Sequence, residues 1–76
     1  MRFLIDAQKL RSPENFLSIM RDLPEYRVMT MSRIYNRLTD TICFTPLPNA
    51  SEEEIKNFVQ ELQAFLTVEE FMSGNV

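Results

Sequence analysis

The stretch "MTMSRIYNRLTDTICFTP", residues 29–46, decides the fold, because its letters support two secondary structures. Met31, Ile34, Tyr35 and Leu38 fall at i, i+3, i+4 and i+7, the stripe of an amphipathic helix. The same residues also read as two β-rich runs on either side of a polar turn. A helix here would place Arg33 in its first turn and Asp40 in its last, each opposed to the macrodipole, with no capping box and no glycine stop. As strands, 26–35 and 41–45 have the β-branched and aromatic content that a pleated surface favours, and Pro46 and Pro48 end the second run. The connection "NRLTD" lacks Asn-Gly or Asp-Gly, so it implies a four- or five-residue loop built on a type I turn. The strand reading is preferred, and a mostly α chain is the alternative.

The flanking segments are easier to read. "RFLIDA" opens the chain like a first strand, over 1–7. Ser12 as N-cap, Pro13 at the first helical position and Glu14 near the positive dipole end predict a helix over 12–23. Phe16, Ile19, Met20 and Leu23 line it, and Pro24 stops it. Ser51 and Glu54 form a capping box for a second helix, 51–66, with Glu52 and Glu53 in its first turn. Ile55, Phe58, Val59, Leu62, Phe65 and Leu66 make its apolar stripe. The stripe then loses phase, and Thr67 with Glu70 offers another capping box. A break near Thr67 and a short helical extension over 67–73 are expected, with Gly74 as C-cap.

These elements define a single α+β domain, 1–76: a two-layer βαββα sandwich with a three-stranded sheet and two helices on one face. The order resembles a ferredoxin-like fold lacking its last strand, which implies a first strand at a sheet edge. Strand phase predicts a core of Phe3, Ile5, Met29, Met31, Ile42 and Phe44 against the helices. The other face then carries Leu4, Tyr26, Val28, Thr30, Ser32, Ile34, Thr41, Cys43 and Thr45, more apolar than solvation alone requires.

Composition narrows the function. Seventy-six residues with 45% hydrophobic content and eight aromatics (six Phe, two Tyr) suit one packed core. One cysteine forms no internal disulfide, and without histidine there is no zinc-ligand set. Only three apolar residues stand between Arg2 and Asp6, too few for a signal-peptide core, and no run reaches the ~18 residues of a membrane helix. A cytoplasmic location, no membrane and no small-molecule substrate are the expectation. No glycine-rich loop or nucleophile elbow is present, and Cys43 has no base in its neighbourhood of sequence. Consecutive glutamates on a helix point about 100° apart and do not converge on a metal. No catalytic residue, cofactor or metal site is therefore assigned.

The net charge is −3, split between a half with seven basic and five acidic groups (residues 1–40) and a half with Lys56 against six glutamates (41–76). Two kinds of binding fit this pattern. The first is a small, acidic, non-enzymatic regulatory module that binds protein, as a homodimer or with another partner. It would use the open sheet face or an edge strand through Leu4, Tyr26, Val28, Thr30, Ser32, Ile34 and Cys43, with Glu52, Glu53, Glu54 and Glu61 as an acidic helical surface. The second is a single-stranded nucleic-acid binder using Arg27, Arg33, Tyr35 and Arg37, which share a strand phase. The absent RNP signature and a pI near 4.8 argue against it. So does the phase itself, which turns those side chains toward the helices.

Overall fold

The computed structural model describes the backbone of residues 1–72 and the side chains of residues 1–68. Its elements are β1 (Phe3–Asp6), α1 (Pro13–Asp22), β2 (Met29–Tyr35), β3 (Asp40–Pro46) and α2 (Glu52–Met72), with 3-10 turns at Ala7–Lys9 and Pro24–Val28. The three strands form an antiparallel sheet of order β1-β3-β2. This α+β arrangement puts β3 in the centre and leaves β1 and β2 at the edges. The mostly α alternative is therefore excluded, since residues 29–46 form a hairpin.

That hairpin closes through a four-residue loop. The Asn36 amide donates to the Thr39 carbonyl at 3.0 Å, and Asn36 Oδ1 accepts from the amides of Leu38 and Thr39, each at 2.9 Å. An asparagine side chain thus supplies the turn chemistry that a missing glycine would otherwise provide.

Register puts Phe3, Ile5, Met29, Met31, Ile42 and Phe44 on one face, as the phase of the sequence requires. Both helices cover that face. Phe16 of α1 and Phe58 of α2 meet Phe44 with ring centroids at 6.2 and 5.1 Å, in tilted or edge-on geometry. Phe16, Met20, Ile42, Phe44 and Phe58 are fully buried.

Three expectations are corrected. Residues 26–28 do not begin a strand but form the end of a 3-10 turn, started by the fixed φ of Pro24. The curl carries Tyr26 and Val28 into the core: the Tyr26 ring faces Phe44 and Phe58, and Val28 is buried. Neither residue lies on the open face. At the first strand, Asp6 accepts from the Gln8 amide at 3.1 Å, so Ala7 starts a 3-10 turn instead of extending β1. The break near Thr67 is also absent, because α2 runs through to Met72. The Thr67 hydroxyl donates to the Gln63 carbonyl one turn back, at 2.9 Å, and so belongs to the helix interior rather than to a new cap. Gly74, expected as a C-cap, lies outside the described residues.

Candidate interaction surface

Strand alternation leaves Leu4, Thr30, Ser32, Ile34, Thr41, Cys43 and Thr45 on the face opposite the helices. Leu4 and Ile34 are 58% and 50% exposed, at the two margins of the sheet. Cys43 occupies the middle of the central strand between Leu4 and Ser32 and is only 3% exposed, with its sulfur 3.7 Å from Thr45 Oγ1. It acts as a small packing residue there rather than as a contact residue. Of the nine residues expected on this face, the structure gathers all but Tyr26 and Val28.

Backbone groups at the sheet edges follow from register. The Leu47 amide donates to the Val28 carbonyl at 2.8 Å, and the Asn36 amide to the Thr39 carbonyl at 3.0 Å. Both pairs lie in the β2–β3 register, one beyond each end of the ladder. Hydrogen-bonded pairs alternate with non-bonded ones, so Thr30, Ser32 and Ile34 point their N–H and C=O groups at β3. Met29, Met31, Arg33 and Tyr35 point theirs outward. The Met29 amide is already used, donating to the Tyr26 carbonyl at the end of the 3-10 turn. The outer edge of β2 thus presents the N–H groups of Met31, Arg33 and Tyr35 and four carbonyls. The same parity carried across β3 leaves only Leu4 and Asp6 facing outward on β1. Topology points to the first strand as the vacant edge, yet β2 is the longer one.

The basic set proposed for nucleic acid does not assemble. Arg33 lies on the helix side and is held by Asp40 in a two-pronged pair, Nε to Oδ1 at 2.7 Å and Nη2 to Oδ2 at 2.6 Å. Its Nη1 reaches Glu14 at 3.4 Å, and the guanidinium lies 4.7 Å from the Tyr35 ring centroid. The Asp40 hydrogen bonds raise the Arg33 pKa, and those from Arg33 hold Asp40 below the usual carboxylate range. Arg27 stands in the 3-10 turn beside Glu54, at 4.0 Å, and Arg37 in the hairpin loop. The seven residues of β2 separate those two by about 23 Å.

The acidic residues separate in the same way. Glu52 and Glu53 are exposed at the start of α2. Glu54 turns back to accept from the Ser51 amide at 2.9 Å, while its own amide donates to Ser51 Oγ at 3.1 Å. The Ser51 amide and hydroxyl, and then Arg27, lower the Glu54 pKa. Glu61 stands two turns further on, at the rim of an apolar groove of about 260 Å³ between α1 and α2 lined by Ile19, Leu23, Ala64, Phe65 and Val68. Sequence reasoning did not find this groove, although Val68 falls three residues beyond Phe65 and was the available signal.

Among the described residues, no group of three or more Cys, Asp or Glu is placed to hold a metal ion, and no helix is long and apolar enough to cross a membrane. No protein-family model, curated protein or solved structure matches this chain.

Proposed function

We propose that this chain is a small protein-binding module with no catalysis of its own, which acts by joining its sheet to another protein surface. The supporting observation is the open sheet face, where Leu4 and Ile34 stay half exposed or more while the strand edges beside them carry unpaired backbone groups. An unpaired edge is a template for another strand, and apolar residues beside it supply contact area.

Self-association is the form of this reading that is open to direct measurement. Sedimentation equilibrium in reductant at ~100 μM, roughly a hundredfold above a micromolar Kd, is expected to show dimer. A monomer at that concentration overturns self-association and leaves docking to a different protein as the remaining form of the proposal.

A further inference from the structure

We draw no further inference here: the strongest candidate, the apolar groove between α1 and α2 lined by Ile19, Leu23, Phe65 and Val68 with Glu61 at its rim, carries nothing because nothing in the structure shows what covers it.

Discussion

Arg33 sits on a strand face that the helices largely cover, which makes its carboxylate partner a requirement of the fold. The Arg33 and Asp40 side chains are 18% and 11% exposed, so removing either leaves the other charge poorly hydrated. Asp40→Asn is expected to lower the urea midpoint at pH 7. The pH dependence has a definite sign. The folded pKa of Asp40 lies below its ordinary value of 3.8, so its contribution is complete above that value and is lost as pH falls through the lower folded pKa. Urea midpoints measured between about pH 6 and pH 2 should converge for the two proteins at the acid end. Curves that stay parallel would show that the pair does not titrate with folding. Phe44 makes a different demand, since rings from the Pro24–Val28 turn, α1 and α2 all meet it. Phe44→Ala is expected to cost about 3–5 kcal/mol, as much as a single small core supplies. Circular dichroism should show no cooperative thermal transition in that variant.

At the scale of elements, the first turn of α2 and the Thr67 position further along the helix behave differently and are tested separately. Ser51 holds the first turn through a reciprocal pair of bonds with Glu54, so Ser51→Ala is expected to cost about 1 kcal/mol in urea denaturation. Thr67 lies within the helix and bonds to the carbonyl four residues back, so Thr67→Ala should be neutral or slightly stabilising. A loss of about 1 kcal/mol at Thr67 would instead mark it as the cap of a second helix. Local signals explain what was legible here. The caps of both helices and the facing of residues 29–35 and of the other two strands followed from Ser12, Pro13, Ser51 and the period-two alternation, whereas the edge position of β1 was implied only by the resemblance to a ferredoxin-like fold. Residues 26–28 were misread because Tyr26 and Val28 are good strand formers whose burial depends on partners distant in sequence, Phe44 and Phe58. Tertiary packing overrode propensity there. Thr67 with Glu70 has the letters of a capping box, and only the backbone bond to Gln63 shows that the hydroxyl is used otherwise. The candidate surface was legible in Leu4, Thr30, Ser32 and Ile34 through alternation alone. Which backbone groups face outward at each edge depends on hydrogen-bond parity, and no residue type encodes that.

For the molecule as a whole, short length and an uncovered sheet face point the same way. A chain of 76 residues buries a smaller share of its surface than a larger domain does, so association is a common route to further burial. Two geometries are available to a second copy, edge addition at β2 and stacking of the open faces, and Leu4 and Ile34 separate them. Ile34 adjoins the β2 edge, whereas Leu4 lies on β1 at the far margin of the sheet. In an edge dimer, Ile34→Lys removes two symmetry-related cross-strand pairs worth about 0.2–1 kcal/mol each, which weakens Kd roughly 2- to 30-fold. Leu4→Lys leaves that interface untouched, and its Kd should equal that of the unmodified protein. In a face-to-face dimer both residues are buried, and the lysine at position 4 weakens binding at least as much as the one at position 34. Sedimentation equilibrium of the three proteins in reductant reads this directly. Weakening by Ile34→Lys alone assigns the contact to the β2 edge, and weakening by Leu4→Lys that is as large or larger assigns it to the open face.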